Sequence, residues 1–533
     1  MHTDARTLDH GAVIEGDLCI VGAGAAGITI ARELANSQLK VLLLEGGGFD
    51  FDPRMQELYR GEIVGQPYYP LQAAALHQFG GTTGHWAGWC ATYEPIDFEK
   101  REWVPHSGWP IRRSDLDPFY PRAQKILELG PYKYDAADWK NGDADRVPLL
   151  ADSHDFWTKM WQFSPPTRFG TRYRDDIVNA PNVHLYTHAN VVELEANEGL
   201  TAIQSVRVRG FDGKEFRARA RHFVLACHTI QNARLLLASN RQARSGLGNA
   251  NDLVGRYFME HLEMPAGELV VENPGATKTK LYALDFISRT PRGELALSPS
   301  AQQQHRVLHG TASVEAGDPA DQVKSTFQFI DTAMKTAMMK WEEGGRKGPP
   351  PLAIAAAALA HPISGPPRFF HLTTRQEQAP NPNSRVTLSA EKDALGMPRA
   401  KLDWQLTELD KRSMRTFYQV LGREMGRTGT GRVQIRDWLL SDDRSWPSFI
   451  SGGWHHMGTT RMSADPRQGV VDANCRVHGI DNLYIGGASV YATAGAVNPT
   501  LTLVAMSLRL AEQLRRIDRG VATGIHRTEA RSS

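Results

Sequence analysis

A glycine-rich turn near the start of the chain has the residue types and spacing of a phosphate-binding site. Gly22, Gly24 and Gly27 form the pattern G-x-G-x-x-G directly after an apolar run. The first glycine permits a tight bend, the second lets the backbone approach a pyrophosphate, and the third lets a helix pack against the strand. Glu45 follows the next apolar run, 40–44, at the spacing where an acid binds adenosine ribose hydroxyls. The pattern predicts a bound dinucleotide, and the carboxylate disfavours NADP because it would repel a 2′-phosphate.

The turn alone does not identify the dinucleotide, because FAD and NAD present the same ADP half to the same backbone. A second feature favours a flavin. Asn498-Pro499-Thr500 opens a long helical segment that continues to Arg516. A helix N-terminus there would stabilise the negative charge of a reduced flavin. The alternative role of Asn498 is to cap its own helix.

An α/β framework that is discontinuous in sequence is needed to bring these residues together. Strand 17–21, the glycine turn, helix 28–34 and strand 40–44 follow the order of a Rossmann-like unit. The Trp-rich and Pro-rich stretches farther along the chain predict a second, substrate-facing domain. Further strand-like or helical runs of the first framework are 182–194, 221–226, 230–238, 482–485 and 498–516.

Length and charge exclude several classes of protein. The 533 residues exceed one ordinary domain, and 61 Lys and Arg against 59 Asp and Glu give no basic field to attract nucleic acid. The four cysteines lack metal-binding or disulfide-framework spacing. With no leader-like N-terminus and no run of roughly 18 apolar residues, we expect a cytoplasmic protein without an integral membrane segment. The shorter apolar segment 352–360 is interpreted as a buried helix or lid.

Seven motifs, in order and spread over most of the chain, resemble the glucose-methanol-choline (GMC) oxidoreductases. The last two are much more diagnostic than the first. The resemblance implies FAD, an alcohol substrate and a substrate domain built on an antiparallel sheet. The motifs are 17–45, 80–86 (GGTTGHW), 223–226 (FVLA), 251–260 (NDLVGRYFME), 381–388 (NPNSRVTL), 455–462 (HHMGTTRM) and 495–503.

Two adjacent imidazoles in the sixth motif are candidate general bases. Alcohol oxidation requires removal of the hydroxyl proton, and neutral imidazole suits that task at neutral pH. The resemblance implies that His455, three residues before the Gly-Thr pair, is the base and that His456 is a structural or substrate-lining neighbour. It also implies that Asn498 is the second catalytic residue, whose amide donates to the developing alkoxide. The alternative for His455 is a packed, hydrogen-bonded turn.

The resemblance also assigns residues to the flavin. Some members of the family carry a histidine joined covalently to the flavin at the position of His85, so the FAD is either free or linked through this side chain. Gly487 stands where many members have Asp, and backbone N–H groups would have to replace that contact. Scattered histidines such as His305 and His361 lack ligand spacing, so no metal site is expected. The predicted cofactor-binding residues are Gly22, Gly24, Gly27, Glu45, Gly81, Thr82, His85, Val192, Ala226, Gly487, Ala488, Pro499 and Thr500.

The predicted fold class is α/β, or α+β overall. It combines a discontinuous Rossmann-like FAD-binding domain with a substrate domain built on an antiparallel sheet flanked by helices. We assign 12–100, 175–265 and 450–520 to the FAD-binding domain, 101–174 and 266–449 to the substrate domain, and 1–11 and 521–533 to flexible termini.

The predicted function is FAD-dependent oxidation of a CH–OH group to the carbonyl. The His85-Trp86 pair is similar to the sugar-oxidising, pyranose 2-oxidase branch of the family, which favours a sugar, glycoside or polyol. The alternatives are a flavin-retaining lyase resembling the hydroxynitrile lyases and a non-catalytic FAD-binding interaction protein. The electron acceptor is open between O2, a quinone and a redox protein, and the substrate and oligomeric state are not indicated.

Overall fold

The computed structural model describes residues 1–140, 142–285, 288–317 and 368–518. The segment 352–360 and the tail 521–533 lie outside these ranges. The strands are β1 His2–Asp4, β2 Val13–Glu15, β3 Leu18–Val21, β4 Val41–Leu44, β5 Glu62–Gly65, β6 Trp89–Cys90, β7 Phe156–Phe163, β8 Val183–Thr187, β9 Val191–Ala196, β10 Ile203–Arg209, β11 Glu215–Arg219, β12 His222–Leu225, β13 Leu262–Val271, β14 Arg292–Leu297, β15 Gly310–Ala316, β16 Phe369–Gln376, β17 Arg385–Lys392, β18 Pro398–Trp404, β19 Gly431–Ile435 and β20 Leu483–Ile485.

The helices range from single turns to two long helices that flank the sheets. They are α1 Ala25–Glu33, α2 Pro53–Gln56, α3 Leu71–Ala74, α4 Pro95–Phe98, α5 Tyr120–Ile126, α6 Phe169–Arg172, α7 Arg174–Val178, α8 Thr229–Ala238, α9 Pro299–His305, α10 Glu408–Arg427, α11 Asp437–Leu440 and α12 Thr500–Asp518. No helix within the described ranges is both long and apolar enough to cross a lipid bilayer.

A six-stranded sheet in the order β1-β8-β4-β3-β12-β20 carries the glycine turn, and its strands pair in parallel. Strands β3 and β4 are buried along their whole length, as expected for the apolar runs of a parallel sheet covered on both faces. The motifs that follow these strands therefore meet at one edge, the carboxyl edge of the sheet, where open α/β folds bind ligands. The predicted Rossmann-like fold is confirmed.

A seven-stranded antiparallel sheet in the order β19-β13-β16-β15-β14-β7-β6 forms the second layer. Helix α10 packs on it, with the Tyr418 hydroxyl donating to the Leu372 carbonyl at 3.0 Å. This is the predicted antiparallel sheet of the substrate domain. The sheet also includes β6 and the first residues of β13, which lie in the segments 12–100 and 175–265 that we assigned from sequence to the FAD-binding domain.

Two smaller sheets, β2-β11-β10-β9 and β17-β18-β5, complete the described architecture. The run 182–194, read from sequence as one strand-like segment, contributes to two sheets. Its first part is β8 and its second part is β9, and the left-handed backbone of His188 (φ +57°) separates them.

The first residues form an edge strand rather than the flexible terminus predicted for 1–11. β1 pairs with β8, and the amino group of Met1 donates to the carbonyls of Val178 and Val183 at 2.8 Å each. The segment is ordered because it satisfies backbone groups at the open edge of the sheet.

Candidate active site

The glycine turn has the close contacts that its spacing predicts. Gly22 follows β3 with φ +99°, and a Cβ there would lie 2.7 Å from the carbonyl oxygen of Ala226. A Cβ on Gly27 would lie 1.9 Å from the carbonyl oxygen of Gly22. Only glycine fits at either position, because the turn is pressed against both β12 and α1. Helix α1 begins after Gly24 with no side-chain cap, so its first N–H groups are available to an anion.

Glu45, which directly follows β4, connects the end of that strand to the glycine turn by hydrogen bonds. Its carboxylate accepts hydrogen bonds from the backbone N–H of Ala23 at 2.9 Å and of Gly47 at 2.8 Å. The side chain is buried, and burial raises its pKa. The backbone N–H of Gly46 also contacts this carboxylate, which has about four acceptor positions, so the predicted contact with ribose hydroxyls is compatible with this geometry and stays a prediction.

Space for a cofactor lies along this edge. A Cβ on Gly24 or on Gly487 would meet no atom within 4 Å, although Gly487 is a buried residue. Both ring nitrogens of His85 are buried and have no hydrogen-bond partner among the described residues. Buried polar atoms are rarely left without partners, so these atoms indicate a missing group. The residues present therefore fit a bound dinucleotide that reaches from the Gly24 turn towards His85.

The remaining predicted cofactor residues lie on several elements. A Cβ on Gly81 would come within 3.0 Å of the Cα of Gly24. The Gly81–Gly84 turn, which contains Thr82, therefore lies against the glycine turn. Ala488 follows β20 and accepts a hydrogen bond from Gly458 at 3.2 Å. Val192 instead packs its side chain into a small apolar cluster with residues that include Leu58.

The ring of His455 lies in a chain of hydrogen bonds that determines its tautomer. His261 Nε2 faces the carbonyl oxygens of Ala494 at 3.1 Å and Gly495 at 2.9 Å, so this nitrogen carries the proton. Its Nδ1 is then an acceptor, 2.9 Å from Nδ1 of His455. His455 must therefore donate from Nδ1, and its Nε2 carries the lone pair of the ring.

That lone pair faces the amide of Asn498. The Asn498 Nδ2 atom lies 2.9 Å from His455 Nε2. The other end of the amide, Oδ1, accepts a hydrogen bond from the indole Nε1 of Trp161 at 2.9 Å. Trp161 therefore selects the amide orientation. The hydrogen bonds of the Asn498 side chain among the described residues go to Trp161 and His455 and not to the first turn of α12, which disfavours the helix-capping role.

A buried group of charges surrounds the His455 ring. Glu263 Oε1 lies 3.4 Å from His455 Nδ1 and accepts a hydrogen bond from Arg375 Nε at 2.7 Å. Arg375 also pairs with Glu294 at 3.2 Å and stacks on the ring of Trp161. Burial, reinforced by the charge of Arg375, lowers the pKa of His455 to about 3. The imidazole is thus neutral in the resting protein at neutral pH, while 15% of the side chain remains exposed.

His456 occupies a different environment from its neighbour. Its Nδ1 lies 3.1 Å from His228 Nε2 and its Nε2 lies 2.6 Å from the Tyr68 hydroxyl, which donates to Glu260. Burial lowers its pKa, and only 4% of the residue is exposed. The ring is buried and both nitrogens are engaged by protein groups, which favours the structural one of the two roles, structural or substrate-lining, that the sequence left open.

Three potential metal ligands, His261, Glu263 and His455, come together in the described part of the chain. The two histidine Nδ1 atoms are at hydrogen-bond distance, and the Arg375 guanidinium already engages the Glu263 oxygen. A cation would have to displace one charge and separate the two rings. We therefore interpret the trio as a hydrogen-bonded group that orients His455.

Sequence reasoning missed His261, Trp161 and Glu263. His261 directly follows the motif 251–260, and its proximity to that motif was the available signal. Trp161 lies 337 residues before Asn498 and is one of many tryptophans in its region, so no local pattern indicates it.

Comparisons with known proteins show which families and structures this chain resembles. The profile of the FAD dependent oxidoreductases matches residues 17–338, and that of the GMC oxidoreductases matches residues 380–507. The fructose dehydrogenase large subunit of Gluconobacter japonicus is 23% identical over 588 residues, covering 94% of this chain and 98% of that protein. Pyranose 2-oxidase of Tricholoma matsutake is 24% identical over 493 residues, covering 85% and 76% respectively.

The fold is similar to that of a solved structure of formate oxidase from Aspergillus oryzae. The two share 18% sequence identity and a TM-score of 0.55, and the match covers 96% of this chain and 100% of that chain. The GMC oxidoreductase match over residues 380–507 confirms the resemblance that the sequence motifs indicated.

Proposed function

The chain belongs to the FAD dependent oxidoreductases, with a GMC oxidoreductase match in its C-terminal part, and we propose that it oxidises a CH–OH group of a sugar, glycoside or polyol to the carbonyl. Proteins named for sugar substrates, fructose dehydrogenase and pyranose 2-oxidase, match it over most of its length and support that substrate class. His455 is the proposed general base and Asn498 the proposed hydrogen-bond donor.

The substrate hydroxyl would replace the direct 2.9 Å contact between His455 Nε2 and Asn498 Nδ2, with its oxygen within hydrogen-bond reach of both atoms. The lone pair of Nε2 accepts the hydroxyl proton, and the amide N–H donates to the oxygen as negative charge develops on it. FAD bound along the carboxyl edge of the parallel sheet supplies the acceptor for the hydride that leaves the carbinol carbon. Loss of one proton and one hydride converts the alcohol to the carbonyl.

The observation that carries this proposal is the unprotonated Nε2 of His455. Its partners assign the ring proton to Nδ1, and burial keeps the ring neutral, so a base is available at the atom facing Asn498. His456 is less suited to this role, because its side chain is fully buried, whereas 15% of the His455 side chain is exposed.

Anaerobic mixing of the FAD-loaded protein with a panel of sugars, polyols and simple alcohols tests the proposal. We expect at least one substrate to bleach the oxidised-flavin absorbance, with loss of bleaching in His455→Ala. A His456→Gln variant is the matched control, because its ring lies outside the proposed pair. Substrate cleavage with the flavin still oxidised would favour a lyase, and no turnover with any compound would favour a non-catalytic FAD-binding protein.

The electron acceptor is found by offering O2, a quinone and a redox protein to the bleached protein. The absorbance returns fastest with the acceptor that the protein uses. Acid precipitation of the same sample separates free FAD from FAD linked through His85.

A further inference from the structure

We propose that His261 is a positioning residue, which holds His455 in the tautomer that leaves Nε2 unprotonated. The inference rests on the proposed function, because it assigns the partner that prepares the base. It concerns a residue that does not contact the substrate and acts through the His455 ring.

The acceptor facing a general-base histidine is usually a carboxylate or a backbone carbonyl, which fixes the tautomer. Here the closest acceptor to His455 Nδ1 is the neutral ring of His261 at 2.9 Å. The nearby carboxylate of Glu263 is farther away, at 3.4 Å, and its oxygen is already bonded to Arg375. The tautomer of His455 therefore depends on that of His261.

The tautomer of His261 is determined in turn by the backbone. Its Nε2 lies between the carbonyl oxygens of Ala494 and Gly495, which can only accept hydrogen bonds. The pyridine-type nitrogen of His261 must then be Nδ1. The loop that bears these carbonyls leads directly to Asn498, so one loop orients both members of the proposed pair.

The backbone positions of the two histidines are coupled as well. A single oxygen of the buried Glu260 carboxylate, Oε1, accepts from the N–H of His261 at 2.8 Å and from the N–H of His455 at 2.7 Å. The ring-to-ring hydrogen bond thus joins residues whose main chains are already held together. Such a fixed second layer keeps a reacting group within the narrow geometry that catalysis needs.

Two substitutions separate a positioning role from a structural one. His261→Asn places an amide oxygen near the former Nδ1 and keeps the acceptor for His455, but it loses the contact with the carbonyls of Ala494 and Gly495. His261→Gln can reach those carbonyls and loses the acceptor for His455. We expect the single-turnover rate of flavin bleaching to fall about tenfold in His261→Gln, as for loss of one buried hydrogen bond, and to be largely retained in His261→Asn. The reverse order would overturn the proposal, because support of the loop would then be the role of His261.

A spectroscopic measurement tests the inference without activity. In the FAD-loaded protein with ¹⁵N-labelled histidine, the His455 signals, identified by their loss in His455→Ala, should be those of a ring protonated at Nδ1. They should change to a mixture of tautomers in His261→Gln and remain in His261→Asn. An unchanged His455 spectrum in His261→Gln would overturn the proposal. If no substrate bleaches the wild-type flavin while the spectra behave as expected, the proposed function fails and the role of His261 stands.

Discussion

Replacement of Trp161 by phenylalanine should slow flavin reduction, because the indole N–H selects which end of the Asn498 amide faces His455. The indole Nε1 donates to Asn498 Oδ1 at 2.9 Å, and the tryptophan is fully buried. Phenylalanine keeps most of the aromatic surface on which Arg375 stacks, but it cannot donate a hydrogen bond.

The expected loss of rate follows from Asn498 Oδ1, a buried acceptor that loses its hydrogen-bond donor in this variant. A buried acceptor that loses its partner costs about 1–3 kcal/mol. The amide can avoid this cost by turning over, but it then presents Oδ1 to the lone pair of His455 Nε2 and withdraws the donor from the substrate oxygen. At ~1.4 kcal/mol per factor of ten, the bleaching rate should fall roughly tenfold to one hundredfold.

The assay is anaerobic stopped-flow bleaching with the best substrate of the panel, alongside FAD content and melting temperature. Trp157→Phe is the matched control, because Trp157 lies on the same strand and its Nε1 has no partner within the described part of the chain. A Trp161→Phe protein that binds FAD and reduces it at the wild-type rate would refute the reasoning about the amide.

The other predictions concern FAD binding at the carboxyl edge of the parallel sheet, the stability of the protein at acidic pH and the attachment of FAD to His85. Gly24→Ala should leave the apoprotein stable and weaken FAD binding, because its Cβ meets no protein atom within 4 Å; Gly27→Ala should destabilise the fold, because its Cβ would lie 1.9 Å from a carbonyl oxygen. Equal melting temperatures and FAD contents for the two variants would contradict this. Burial lowers the pKa of His261 to about 3, as for His455, and of His85 to about 4. These rings are protonated first in the unfolded chain, so their contribution to stability should be full above pH ~6.5 and fall below it, by ~1.4 kcal/mol per pH unit for each ring. A melting temperature that is flat from neutral pH to mildly acidic pH would contradict this. If His85 is joined to the flavin, the acid-precipitated pellet stays yellow in the wild type and turns colourless in His85→Ala; a colourless wild-type pellet means the FAD is free.

The Rossmann-like part of the fold was predictable because its signals are local. A parallel strand buried on both faces reads as a short apolar run, and the G-x-G-x-x-G turn must follow it directly. Boundaries between sheets were not predictable in the same way. His188 follows β8 with a left-handed backbone, and no neighbouring residue type in the sequence predicts this conformation for a histidine. The pairing of β1 with β8 depends on a contact between residues almost two hundred positions apart.

In the candidate site, too, local patterns were predictable from the sequence and long-range contacts were not. The Gly22 turn and the motif that contains His455 were visible as patterns, and the family resemblance connected them. The contacts that orient the base were not visible, because His261, which directly precedes β13, and Trp161, which lies on β7, reach the pair through long-range packing. A hydrogen-bond chain that assigns a tautomer exists only in three dimensions.

In the proposed reaction, a hydride leaves the carbinol carbon while His455 Nε2 takes the hydroxyl proton. The most direct test is anaerobic single-turnover bleaching of the flavin with a substrate deuterated at that carbon. We expect bleaching that is severalfold slower with deuterium than with hydrogen. Consumption of the substrate while the flavin remains fully oxidised, with no effect of deuterium, would contradict it.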